Sequence, residues 1–289
     1  MGTSKSNPGL KPTPLLPSWA PNPPEPQLEE PDHNPDKQQD QGERNQQNTD
    51  DQGQSTEPER GDWSNAKLWI TNYIKGTTRS ERSRSLKRAA QAYVRGSGGA
   101  HKISASAVHG KNAAIRLGGV LSGFSSEGTN QTFEKLGLGD LSNMSIEVAF
   151  SKLAQYLCAE GSTTEESVAN AAVIEALSQL YEEFDLENGD LENLDSLSGD
   201  QVNEIIERYI SSYIFERWIH ELGMSIEGKD DISPARVVSF EVEIKEFIDA
   251  NVNLEFSGMN LATLNLGQEG TRQLIESIFL QAYNQIEAL

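Results

Sequence analysis

Ser198-Gly-Asp-Gln-Val-Asn-Glu-Ile-Ile-Glu-Arg-Tyr-Ile-Ser-Ser-Tyr-Ile-Phe-Glu-Arg-Trp-Ile-His-Glu-Leu222 decides the fold. Its large apolar residues other than Phe215 are Val202, Ile205, Ile206, Tyr209, Ile210, Tyr213, Ile214, Trp218, Ile219 and Leu222, and they recur with the 3.6-residue period of a helix over about six turns. Ser198 to Gln201 has the form of a capping box, in which the serine side chain and the Gln201 amide satisfy the free N–H groups of a first helical turn.

Neighbouring segments read the same way. Thr163-Thr-Glu-Glu166 is a second capping box, ahead of Val168, Ala172, Val173, Ala176, Leu177, Leu180, Tyr181 and Phe184. Ser233-Pro234 places an N-cap before proline at the first helical position and opens a helix to about Asn251. Leu274, Ile275, Ile278, Phe279, Ala282, Tyr283 and Ile286 mark a final helix. No run sustains the period of two that a half-buried strand requires, although the loop chemistry around 252–266 leaves room for a short strand pair near Val252–Phe256. The expected class is all-α, a helical bundle-like domain.

Toward the N-terminus, residues 102–123 alternate small and apolar side chains. Gly110, Ala114 and Gly118, four apart, share one helical face on which another helix can approach closely. Residues 124–144, with Gly128, Gly137 and Gly139, read as a loop. A helix over about 78–95 ends at Gly96-Ser-Gly-Gly99, and an earlier one starts with Asp62 as its cap, runs through Trp63, Leu68, Trp69, Tyr73 and Ile74, and stops at Gly76.

Residues 1–61 differ in kind. They hold 11 of the 12 prolines, and residues 37–54 are rich in Gln, Asn and Asp. The whole run from Glu29 to Asp62 contains no apolar side chain. Such a segment cannot bury enough surface to offset its ordering entropy, and a disordered Pro/Gln-rich tail is expected. Beyond that tether lies a short apolar peptide with Leu10, Leu15, Leu16 and Trp19 set among Pro12, Pro14 and Pro17. Prolines pre-set an extended backbone and lower the entropy lost on binding, and the large side chains have no local core to join. The tether spans roughly 30 Å as a flexible chain and up to about 110 Å fully drawn out. The expected organisation is a tail over 1–61 with a recognition peptide at 1–19, a basic, Gly-rich helical segment at 62–123, and an acidic helical domain at 124–289.

Charge sharpens the division. The net charge of −20 splits into −5 over residues 1–76, +8 over 77–120 and −23 over 121–289. Arg79, Arg82, Arg84, Lys87, Arg88, Arg95, Lys102, Lys111 and Arg116 could hold nucleic-acid phosphates, with Trp69 or Tyr93 as a stacking surface. The same residues could instead complement the acidic part of the chain.

Signals for catalysis are scarce. His33, His101, His109 and His220 lack the spacing of metal ligands, and Cys158 has no partner cysteine and reads as a core thiol. Gly96–Gly99, Gly118-Gly119 and Gly110-Lys-Asn112 fit no phosphate-loop pattern, Asp185–Asp190 fails calcium-loop spacing, and neither G-x-S-x-G nor H-E-x-x-H occurs. No cofactor and no metal are expected, and the chain reads as a non-enzyme. A single cysteine, no stretch of 18 apolar residues and no signal-peptide core suit a cytoplasmic protein that does not enter a membrane. Met1, Gly2 and Ser6 match the myristoylation pattern, which matters only in a host with that transferase.

Met1-Gly2-Thr3-Ser4, Thr13-Pro14-Leu15-Leu16-Pro17-Ser18-Trp19, the polar arm and the helical remainder together resemble the QatB family. Members are components of the four-gene Qat anti-phage defence system of bacteria. The resemblance implies a cytoplasmic chain with no catalytic site of its own. The partners it implies are an ATPase, a TatD-like protein and QatC, a QueC-like enzyme. QueC-type enzymes activate a carboxylate with ATP, and a relative could join such a carboxyl to a protein amine. The resemblance therefore places Gly2 as acceptor after loss of Met1. Thr3, Ser4, Pro14, Leu15, Leu16, Pro17 and Trp19 become the partner-binding residues.

Overall fold

The computed structural model describes residues 60–186, 190–223, 234–252, 254 and 269–289. Ten α-helices follow in chain order: α1 Arg60–Lys75, α2 Arg79–Gly96, α3 Ala100–Ser106, α4 Val108–Glu127, α5 Thr129–Lys135, α6 Ile146–Leu157, α7 Thr164–Glu183, α8 Gly199–Gly223, α9 Pro234–Asn251 and α10 Glu269–Glu287. Short 3-10 turns occupy Leu141–Asn143 and Leu191–Ser196. No strand occurs among the described residues, and the fold is all-α.

α8 is the axis. Val202, Ile205, Ile206, Tyr209, Ile210, Tyr213, Ile214, Trp218 and Leu222 are all buried, and so are Ser211 and Ser212. A helix enclosed on so many sides must lie inside the bundle. α7, α4 and α9 pack on it, α10 covers α2, α3 and α4, and α6 closes the far side of α7. α1 and α2, joined by only Gly76–Thr78, form a hairpin. That hairpin docks through Tyr93, which stacks on Trp218 with centroids 6.1 Å apart, and through the Tyr73 hydroxyl, which donates to Glu243 of α9. One continuous core runs from Ala66 to Ile286.

Local chemistry explains several boundaries. Both boxes read from the sequence form. Thr163 accepts from the Glu166 N–H while Glu166 accepts from the Thr163 N–H, and Ser198 and Gln201 reciprocate in the same way. α2 has a third box, Thr78 with Glu81.

Other boundaries depart from the sequence reading. α1 begins at Arg60, so Asp62 lies within its first turn rather than at its cap. Residues 124–144 are a loop only beyond α5: α4 continues to Glu127, α5 follows after one glycine and ends at Lys135, and the turn with Gly137 and Gly139 comes after it. The start of α5 is secured from a distance, by the Asp195 carboxylate accepting the Thr129 N–H at 2.6 Å and the Thr129 hydroxyl. Val252 and Leu254 are buried without forming a strand, and the rest of the suspected strand pair lies outside the described residues.

Gly110 shows why small residues line α4. It is buried against α8, and a β-carbon there would sit 2.5 Å from Cε2 of Tyr213. Ala114 and Gly118, on the same face, are buried as well.

Candidate functional site

Three polar constellations emerge from this packing. The first gathers on the start of α4, whose N-cap residue, Ala107, offers no side-chain oxygen. Four N–H groups at a helix start need partners. Glu165, in the first turn of α7, supplies partners for two of them: its carboxylate accepts the N–H of His109 at 2.8 Å and of Gly110 at 2.9 Å, and also the Tyr213 hydroxyl at 2.8 Å. Tyr209 donates to the Gly110 carbonyl at 2.9 Å. The His109 imidazole lies 3.5 Å from Glu166. The positive end of α4 thus already holds an anion, and that anion belongs to the chain itself.

Arginines do the converse work at helix ends. Arg217 donates to the Ile103 carbonyl at 3.2 Å and to the Ser106 hydroxyl at 2.9 Å, tying α8 to the last turn of α3, while its Nε holds Glu221 at 2.8 Å. Arg116 donates to the Leu157 carbonyl at 2.6 Å, the end of α6. Tyr93 and Tyr283, buried near Arg217 and Glu221, have hydroxyls without a hydrogen bond of ordinary geometry. Burial pushes both phenols above the usual tyrosine range, which keeps them neutral.

The second constellation is a cleft of about 310 Å³ between α7, α8 and α9, lined by Gln179, Glu207, Arg208, Ser211, Ser212 and Asp249. Burial raises the carboxyls of Glu207 and Asp249. Nearby, burial foremost, and then Glu175 and Glu241, push Glu216 up to about 7, while Lys245 opposes them. Among the described residues no group of histidine, cysteine and carboxylate side chains has the arrangement of a metal site.

The third is the outer surface of α2. Arg79, Arg84, Lys87, Arg88 and Arg95 are exposed, with Lys102 exposed just beyond on α3. Arg88 lies over the half-buried Trp69 ring, 4.6 Å from its centre. The other three basic residues singled out in the sequence do not join this ridge. Arg82 is half-buried with Nε 3.6 Å from Glu243, Lys111 is half-buried on α4, and Arg116 is committed to Leu157. Tyr93 is 2 % exposed and cannot stack on a base, unlike Trp69.

His101 and His220 are exposed on separate helices. Cys158 is half-buried, and burial raises its thiol to about 11, so it is protonated and unreactive at neutral pH. Gly2, Thr3, Ser4, Pro14, Leu15, Leu16, Pro17, Trp19 and His33 lie outside the described residues. No helix among the described residues is long and apolar enough to cross a membrane.

Sequence reading missed the Glu165 centre and the α7–α9 cleft. Glu165 stood inside a recognised capping box, but its role is toward α4, 55 residues away from Gly110, and nothing in local spacing reports that.

The class these features define is an all-α protein whose surface separates a basic ridge from a polar cleft of mixed charge. Residues 98–286 match QatB, the Qat anti-phage system associated protein, and the chain belongs to that family. The match opens in the turn after α2, so it rests on the helical body. Comparisons with curated proteins and with solved structures found no match.

Proposed function

We propose that this chain is a non-enzymatic member of its anti-phage system whose N-terminal peptide is bound by a QueC-like partner enzyme and covalently modified at Gly2. The observation that carries the reading is the sequence of the tail, an apolar, proline-spaced peptide ahead of a run, Glu29 to Asp62, with no apolar side chain. Family membership supports it by placing the chain among the components of one defence system. Leu15, Leu16, Pro17 and Trp19 dock on the enzyme while Gly2, lacking a side chain, enters a narrow channel. The ATPase and the TatD-like protein of the system are further partners.

Intact-mass measurement of the chain co-expressed with the other system proteins tests the modification. A mass above that of the chain lacking Met1, localised to the first peptide, is expected, and recovery of only the unmodified mass counts against it. Trp19→Ala should weaken capture of the QueC-like partner at least tenfold, since truncating a buried aromatic anchor typically costs about 2 kcal/mol.

A second reading is favoured by the α2 ridge, which could bind nucleic acid. A salt-sensitive mobility shift with DNA or RNA, abolished by reversing Arg84, Lys87 and Arg88, would support it.

A further inference from the structure

We infer that the basic outer face of the α1–α2 hairpin is a docking surface for the chain's own acidic tether, residues 25–59. Residues 62–107 carry nine basic and two acidic groups, a net of +7. On the ridge, Arg79, Arg84, Lys87 and Arg95 have no ion-pair partner among the described residues. Residues 25–59 carry 11 acidic and two basic groups, a net of −9.

Connectivity selects this occupant over other anions. The tether joins the fold at Arg60, and the start of α1 lies on the end of α2: the Trp63 backbone nitrogen is 3.0 Å from where a β-carbon on Gly96 would stand. The tether therefore begins next to Arg95. From there the ridge runs about 24 Å to Arg79 at the helical rise of about 1.5 Å per residue, and the stretch 25–59, drawn out, covers that distance several times over. A tethered segment faces its site at an effective concentration of about millimolar, whereas another chain or a polynucleotide must arrive from solution. Complementary charge with no apolar anchor gives a contact that salt loosens. The tether then screens the ridge from other polyanions until something stronger displaces it. This inference is independent of modification at Gly2, which the intact-mass experiment tests separately.

Zero-length carbodiimide crosslinking of the full chain tests it. Mixed isotope-labelled and unlabelled protein separates links within a chain from links between chains. Expected are intrachain links from Lys87 to carboxylates in 25–59 that fall at least fivefold between 20 and 500 mM NaCl, over which the screening length shortens about fivefold. They should also fall in a variant with Arg79→Glu, Arg84→Glu, Arg88→Glu and Arg95→Glu. The salt series on the unaltered chain serves if that variant does not fold. No such links, links only between chains, or links that ignore salt overturn the inference. A second variant converts Glu29, Glu30, Asp32, Asp36, Asp40 and Glu43 to their amides. It should bind a 30-nucleotide oligo-dT at least threefold more tightly than the unaltered chain, and unchanged affinity overturns the screening role.

Discussion

At the scale of single residues, the fold depends on groups that fill each other's vacancies. Glu165 satisfies two backbone N–H donors of α4 and the Tyr213 hydroxyl together. Glu165→Ala leaves all three without an acceptor, and should lower stability by about 3 kcal/mol in denaturant titration, with Glu165→Gln losing less. Gly110→Ala puts a β-carbon into the Tyr213 ring and should cost about 1–3 kcal/mol or more by the same measurement. Glu216 makes stability depend on pH. Its folded carboxyl is pushed up to about 7, so the folded state holds a proton that the unfolded chain releases near pH 4.5. The stabilisation is complete below the unfolded value and is lost as pH rises through about 7. Unfolding midpoints should therefore show Glu216→Gln more stable than the unaltered chain at pH 8, with the difference closing toward pH 4.

Elements form where their ends are secured, and the source of each cap decided what could be read in advance. α7 and α8 were legible because their caps are local and their apolar periods long. Thr78→Ala, which removes the local cap of α2, should cost about 1 kcal/mol of stability in thermal or chemical unfolding. α5 looks like loop in the sequence because it has seven residues and its cap, Asp195, stands 66 positions away from Thr129. α3 is similar: the carboxylate of Glu287 at the chain's far end accepts the Ala100 N–H at 3.0 Å. A sequence written along one dimension does not record which distant carboxylate will meet a free helix end. Asp195→Ala is thus expected to loosen α5 selectively, visible as faster amide exchange over 129–135 against unchanged exchange in α8.

For the whole molecule, charge segregation is the property that the sequence displayed and the fold refined. The run of basic residues over 79–116 was plain in the chain, but helical geometry divides it, placing Arg79, Arg84, Lys87, Arg88 and Arg95 outside and turning Arg82 and Arg116 to the acceptors Glu243 and Leu157. The α7–α9 cleft was not legible, since its walls come from three helices, including positions as far apart as Gln179 and Asp249. Family membership rests on residues 98–286, the part that supplies most of the core, while the proposed recognition chemistry resides in the peptide from Met1 to Trp19. Body and peptide can then be tested apart. Deleting residues 1–20 should leave the unfolding midpoint of the body unchanged and abolish defence against phage, measured as plating efficiency.

The contact between Gly110 and Tyr213 fixes the register of two central helices. A tyrosine ring seated on bare backbone is a key in a slot. Sliding α4 along α8 by one turn would bring Ala114, which has a β-carbon, onto the ring, and the pair would have to separate before it could move. Any rearrangement of the bundle that leaves this joint closed must therefore carry α4 and α8 together.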